Sequence, residues 1–367
     1  MPSVPSSSSR FAFIDWTRGL AAIIMLQGHV FHSFTRPDLR EGGPYVLSQF
    51  VGGMPPAVFL FLTGMTLAFL MDSQERKGQS TAVRVLASLR RAGYLFVLAF
   101  LFRLQLWIFG LPNSPWTDLF RVDILNCMGF SMAVLSVMAV FRTAQRVRIC
   151  ALAGVIIAGV APLVSMLDWS GVAAPVRHYV APDYQFFSFF PWAAFLAFGM
   201  SAGSIVKSLQ KDHLDRAMQW TALIGLGLIL TGQYASDIPY SIYGKVDFWL
   251  DSPWLVYIKL GVVLLMLSGA YLWTRHGAKP GWSWVRQFGT TSLLVYWIHT
   301  EIVYGRWLYF WKESLTAGQS AVAAAGVVLL MLALSTLRTN WNRWKDGLRS
   351  GFGLFEPPFL PGRVPGD

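Results

Sequence analysis

Ten stretches of this chain read as membrane spans, and that repetition constrains the fold more than any other feature. Crossing the hydrocarbon core takes about 20 mostly apolar residues. Windows of that kind fall at 14–34, 49–71, 92–111, 122–141, 149–167, 186–206, 218–235, 254–273, 288–310 and 320–337, separated by charges, prolines and polar clusters. The composition points the same way, with 54% hydrophobic and only 13% charged residues, where a soluble domain carries about 25% charged. The expected fold is therefore all-α, a polytopic membrane protein of about ten transmembrane helices. The Ser-rich start reads as a disordered tail over 1–13, the membrane domain covers 14–337, and 338–367 forms a C-terminal tail. The first window is not read as a cleaved signal peptide, because Asp15 and Arg18 interrupt its first turns. Cys127 and Cys150 fall near opposite ends of consecutive windows, so a disulfide between them is not expected.

The formal net charge of +11 is a matter of placement. Lys and Arg concentrate in alternate loops, for example Arg76, Lys77, Arg84, Arg90 and Arg91 in one and Arg142, Arg146 and Arg148 in the next of the same side. The positive-inside rule then puts both termini in the cytoplasm. The excess is explained by topology, with a second use in drawing an anionic substrate to the inner mouth, and no nucleic-acid partner is needed. The loops at 168–185 and 236–253 fall outside, and no loop is long enough to hold a cytosolic domain, which predicts chemistry in or beside the bilayer. The pairs Trp107 and Trp116, Trp249 and Trp254, and Trp307 and Trp311 are expected at the interfaces. Gly199 and Gly203, at GxxxG spacing, predict close helix packing.

Ionisable side chains inside spans are costly, so each must face protein or a water-filled cavity. The first window, IDWTRGLAAIIMLQGHVFHSF, holds Asp15 and Arg18 near its cytoplasmic end and His29 and His32 toward the exterior. Arg18 and His29 are eleven residues apart, about three turns or roughly 16 Å, which sets them on one helix face. Asp15 and Arg18 are also spaced to pair with each other. The third window adds Arg103 and Gln105, the fourth Asp123 and Asn126 on one face, the eighth Lys259, and the ninth His299, Glu301 and Arg306. Polar groups at similar depth in separate helices predict one shared cavity.

Two classes of function use such a cavity. A transporter or flippase of a carbohydrate or lipid-linked intermediate needs a midplane site, and usually internal repeats, which this sequence does not display. An acyl-transfer enzyme needs a base of near-neutral pKa and donors to hold the acyl oxygen and the cofactor phosphates. His29 supplies the base, and Arg18, Arg103 or Asn126 the donors. Asp123 or Glu301 would orient the base or the acceptor, and Arg103, Asn126 or His299 would polarise the carbonyl. No metal is expected.

The segments RFAFIDWTRGLAAIIMLQGHVFHSF and FLFLTGMTLAF, followed in order by RVDILNCMGFS, FFPWAAFLAFGMSAG and FGTTSLLVYWIHTEIVYG, resemble the catalytic domain of the heparan-alpha-glucosaminide N-acetyltransferase-like family. That family belongs to a wider group of transmembrane acyltransferases. The spacing of Arg18 and His29 is also similar to the arginine-to-histidine signature of the acyltransferase-three relatives. The resemblance implies transfer of an acyl group, typically acetyl, from cytosolic acyl-coenzyme A to a hydroxyl or amine of a carbohydrate or glycolipid acceptor on the far side. It maps Arg18 to the arginine of the RGLA block and His29 to the histidine of the first span. In the animal members the active histidine is placed farther along, beyond the first span, so His32 competes with His29. Direct transfer and an acyl-histidine intermediate both stay open. The resemblance further implies contact with membrane lipid and the homodimer common in the wider group. The lack of a long luminal domain or organelle signal predicts a bacterial inner membrane.

Overall fold

The computed structural model describes residues 11–210, 213–277 and 281–352. Most of residues 1–13 and the end of the tail at 338–367 lie outside this set. The described residues form thirteen α-helices: α1 (Ala12–Phe34), α2 (Gly43–Gly52), α3 (Pro55–Arg76), α4 (Thr81–Gly110), α5 (Ile124–Leu135), α6 (Thr143–Ser165), α7 (Ala174–Val180), α8 (Phe189–Ser208), α9 (Leu214–Ser236), α10 (Pro253–Leu272), α11 (Trp284–Thr290), α12 (Ser292–Tyr304) and α13 (Ala317–Phe352). No strand occurs among them, and the sole extended pairing is an isolated bridge between Thr35 and Leu315.

Among the described residues, seven helical stretches are long and apolar enough to cross a bilayer: 43–76, 81–110, 116–140, 143–165, 189–208, 253–277 and 317–341. The other three expected windows also hold helices. Two of these, α1 and α9, are 23 residues long, but α1 is diluted by Asp15, Arg18, Gln27, His29 and His32. The ninth window is broken at Thr291 into α11 and α12, of 7 and 13 residues. Periodicity alone did not reveal that break. It is held by a buried clamp in which Gln287 Nε2 donates to the Ser335 carbonyl at 2.9 Å and to Thr339 Oγ1 at 2.7 Å, while Thr291 Oγ1 meets Ser335 Oγ. At the far end α13 continues as helix to Phe352, past the window at 320–337.

Large apolar side chains stand on the outside of the bundle, among them Val97, Phe100, Leu101 and Leu104 on α4 and Leu223, Ile224 and Leu230 on α9. A surface this apolar would drive association in water, and in a bilayer it is the lipid-facing wall. The protein is an integral membrane protein. Trp116, Trp249 and Trp307 are exposed on it.

Helix α1 is the hub, packing against α2, α3, α10, α11, α12 and α13. Its contact with α11 is close enough to require glycine. A Cβ on Gly19 would sit 1.9 Å from the Val285 carbonyl oxygen, and one on Gly289 would sit 1.8 Å from that of Asp15. The expected GxxxG contact forms between α8 and α3, where a Cβ on Gly199 would meet the Phe61 carbonyl oxygen at 1.9 Å and one on Gly203 that of Met65 at 2.7 Å. Cys127 and Cys150 are buried free thiols.

Candidate active site

Helices α1 and α12 lie side by side toward the end of the bundle where α1 finishes. Ser33 Oγ donates to the Val303 carbonyl at 2.9 Å, and one turn earlier, at the same offset of 270 residues, His29 Nδ1 lies 2.8 Å from His299 Nε2. The end of α1 is tied to the start of α13 through Thr35 Oγ1 and Ser320 Oγ, 3.0 Å apart. On another flank Gln49 Nε2 donates to the Gly28 carbonyl at 3.0 Å, fixing the backbone beside His29. The histidine pair thus rests on four helices, α1, α2, α12 and α13, whose register is set by packing and hydrogen bonds. No loop positions it.

The tautomers follow from the partners. His299 is fully buried, and its Nδ1 lies 2.7 Å from the Val295 carbonyl oxygen, which can only accept, so Nδ1 carries the proton. With both rings neutral, His299 Nε2 is an acceptor and the proton between the rings belongs to His29 Nδ1. His29 Nε2 is left with its lone pair. This hydrogen assignment is inferred from the bonding network. The rings are nearly parallel, 21° apart with centroids at 5.1 Å.

His32 is exposed and does not join the pair directly. Tyr304, at the end of α12, connects them: its ring meets His29 edge-on at 5.3 Å, and its hydroxyl lies 3.4 Å from His32 Nδ1. Sequence reasoning did not single out Tyr304, although it falls in the YWIHTEIVYG block. Nothing in a sequence marks the Val295 carbonyl, because every residue carries one.

A second group stands beside the first. Asp123 caps α5, its Oδ1 accepting from the Leu125 and Asn126 amides at 2.9 and 3.1 Å, and Asn126 Oδ1 closes the capping box on the Asp123 amide. Arg103 Nε lies 3.1 Å from Asp123 Oδ2, an ion contact whose alignment is not that of a hydrogen bond. Asn126 Nδ2 donates to the Tyr179 hydroxyl at 3.1 Å. Asp123 and Asn126 therefore have a local structural use. Tyr296 bridges the two groups, with its ring 5.1 Å from Phe102 and 6.0 Å from His299.

Arg18 is not part of either group. It pairs with Asp15 at 3.3 Å near the opposite end of α1. Lys259 sits elsewhere on α10, its ammonium 5.0 Å from the Trp192 ring. Glu301 is buried but faces α4, where a cavity of about 360 Å³ opens between α4, the 110–121 segment and the end of α12. Arg103, Glu301 and Tyr304 all line it, so the cavity adjoins the histidine pair through Tyr304. The polar residues expected in one cavity are thus drawn into adjoining groups, with Arg18 and Lys259 apart.

A constellation of this type suits proton abstraction by an oriented imidazole, the requirement of transfer to a hydroxyl or amine. Among the described residues no cluster of three or more His, Cys, Asp or Glu side chains is arranged to hold a metal ion. No curated protein sequence matches the chain. The family model described as heparan-alpha-glucosaminide N-acetyltransferase, catalytic, matches residues 10–243, a segment that contains Arg18, His29, His32, Arg103, Asp123 and Asn126 but not His299 or Glu301. With well over half of its length in that match, the chain belongs to the heparan-alpha-glucosaminide N-acetyltransferase catalytic family of membrane acetyltransferases.

Proposed function

We propose that this protein moves an acyl group, acetyl in the first instance, from cytosolic acyl-coenzyme A to a hydroxyl or amine of a carbohydrate-like or glycolipid acceptor at the outer side of a bacterial inner membrane. The observation that carries this reading is the His29–His299 pair, in which the Val295 carbonyl fixes His299 and His299 in turn leaves His29 Nε2 free to accept a proton.

The step runs as follows. His29 Nε2 takes the proton of the acceptor hydroxyl or amine as its oxygen or nitrogen attacks the thioester carbonyl. The C–S bond breaks, and the coenzyme A thiolate recovers the proton from His29. While His29 is an imidazolium, its Nδ1–H donates to His299 Nε2, a neutral acceptor held from behind by backbone. His299 is thus a positioning residue, the part an aspartate takes in a serine hydrolase triad. Arg18 lies roughly 16 Å below His29 along the helix axis, near the mouth through which the anionic donor would enter. Arg103, Asp123 and Asn126 shape the wall next to the acceptor. His32, linked to Tyr304, stands at the outer rim, where it competes with His29 as the active histidine.

The test is transfer from labelled acetyl-coenzyme A into membrane glycans or glycolipids by purified protein in nanodiscs. His29→Ala should lose about 10²–10⁴-fold in rate, the contribution typical of a general base, measured per molecule of folded protein. His32→Ala should lose far less. A parent rate in folded His29→Ala, or the larger loss in His32→Ala, would overturn the assignment to His29.

A further inference from the structure

The cavity between α4, the 110–121 segment and the end of α12 holds an unusual set of atoms. Trp107 and Glu301 line it, and Trp107 Nε1 and Glu301 Oε2 are each buried without a hydrogen-bond partner among the described residues. Native structures leave few such groups, so two in the walls of one cavity mark a place where something polar binds. One is a donor and the other a carboxylate that can only accept while ionised. A ligand that satisfies both must therefore present an acceptor oxygen on one side and a hydroxyl or N–H on the other.

The charges narrow the choice. Arg103 is answered by Asp123, 3.1 Å away. Lining the same cavity, Arg121, Arg306 and Lys312 then face Asp118 and Glu301, leaving one cation in excess. Arg306 Nη2 donates to the Gly110 and Leu111 carbonyls, and Lys312 Nζ donates to the Tyr304 carbonyl at 2.6 Å. Both cations are thus positioned by backbone and form no ion pair among the described residues. The donors stand on separate walls of the cavity, which suits the tetrahedral oxygens of a phosphate better than a planar carboxylate. Trp307 and Tyr309, both exposed beside Arg306, are residue types that favour the headgroup level of a bilayer.

We infer that this cavity is the acceptor subsite and that it takes a hydroxyl-bearing phosphate, the phosphate held by Trp107, Arg121, Arg306 and Lys312 and the hydroxyl donating to Glu301. The inference rests on the acyl-transfer reading above for the role of the ligand, but its binding chemistry is testable without turnover. Such a group arises in a polyol phospholipid headgroup or in a soluble polyol phosphate.

The experiment measures thermal stabilisation of the detergent-solubilised full chain by dioctanoyl phosphatidylglycerol, glycerol 3-phosphate and dioctanoyl phosphatidylcholine, each without donor, and separately by acetyl-coenzyme A. Arg121 is exposed, so Arg121→Gln should fold; Glu301→Gln is the second variant. Stabilisation by phosphatidylglycerol, weakened at least tenfold in half-saturating concentration by both variants, supports the inference with a lipid source. The same result with glycerol 3-phosphate supports it with a soluble source. Equal stabilisation by phosphatidylcholine, unchanged binding in both variants, or no effect of either phosphate overturns it. Loss of the acetyl-coenzyme A effect in Arg121→Gln would assign the cavity to the donor's phosphates and also overturn it. Absence of an acetyl-coenzyme A effect in the parent protein would instead count against the acyl-transfer reading and leave the phosphate result intact.

Discussion

The two ends of the bundle each gather charges, and they use them differently. At the end where α3 finishes and α6 begins, Glu75 Oε2 accepts from the Thr143 amide at 3.0 Å, from Thr143 Oγ1 at 2.9 Å and from Arg146 Nη2 at 3.2 Å, with Arg84 at 3.7 Å. Asp72 takes Arg76 at 2.9 Å and lies 3.0 Å from Thr143 Oγ1, whose single hydroxyl proton it shares with Glu75. The carboxylates are partnered from several sides, although Arg84 Nε and Arg146 Nε are left without hydrogen bonds, and the network staples the ends of α3, α4 and α6 together. At the other end Glu301 has an orphaned oxygen beside a cavity, and His29 presents an unprotonated nitrogen. Carboxylates paired across helix ends order those helices, whereas groups left short of partners beside a cavity are available to a substrate.

The comparison breaks most visibly if the staple is cut. Glu75→Ala leaves the fully buried Arg146 without its carboxylate, and loss of one partner of a buried pair costs about 3 kcal/mol or more. The melting temperature of Glu75→Ala should fall steeply, while any protein that stays folded should keep its per-molecule transfer rate. A collapse of rate at unchanged stability would reverse the roles given to the two ends.

The end that holds the histidine pair should show the opposite pattern. His299→Ala removes the acceptor for His29 Nδ1 and frees the His29 tautomer, so kcat should drop about 10²-fold, with little change in the KM for acetyl-coenzyme A. A purely structural His299 would lower the yield of folded protein and leave the kcat of that protein alone. His299→Gln, which keeps a side-chain acceptor, should recover part of the loss.

Smaller effects sharpen the boundary between these regions. Gly289→Ala drives a methyl into the Asp15 carbonyl and should cost about 1–3 kcal/mol through overpacking, measurable as thermal destabilisation, together with some loss of rate because α11 continues into α12. Tyr304→Phe keeps the ring edge against His29 and removes only the hydroxyl near His32. A change of less than about fivefold in rate is expected, since a neutral hydrogen bond contributes about 1 kcal/mol or less. A loss as large as that of His299→Ala would move the proton path from His299 to Tyr304 and His32.

Much of this architecture was legible in the sequence because a bilayer leaves little choice. Every backbone polar group must be paired within the membrane, so an apolar stretch of sufficient length becomes a helix whatever its neighbours do. All ten windows hold helices, and the cost of charge in hydrocarbon singled out His29, His299, Arg103, Asp123 and Glu301 as residues that need company. Their grouping was not legible. Spacing set Arg18 and His29 on one face roughly 16 Å apart and also let Arg18 pair with Asp15, and that pair forms at the far end of α1; nothing in it pointed to the meeting of His29 with His299. Asp123 and Asn126 read as chemistry, and the capping box they form gives them a local structural use.

The amino-acid sequence by itself determined that the chain is helical, that it lives in a membrane and which few polar residues had to be compensated, since these follow from the transfer energies of individual side chains. Tertiary structure decided which of those residues meet. His29 and His299 are 270 positions apart, and they come within hydrogen-bonding distance only because Gly19 and Gly289 let α11 close on α1 and Ser33 locks α12 alongside it. The proton left on one particular imidazole nitrogen is then fixed by the backbone carbonyl of Val295, a group that every residue possesses and that only the fold can aim.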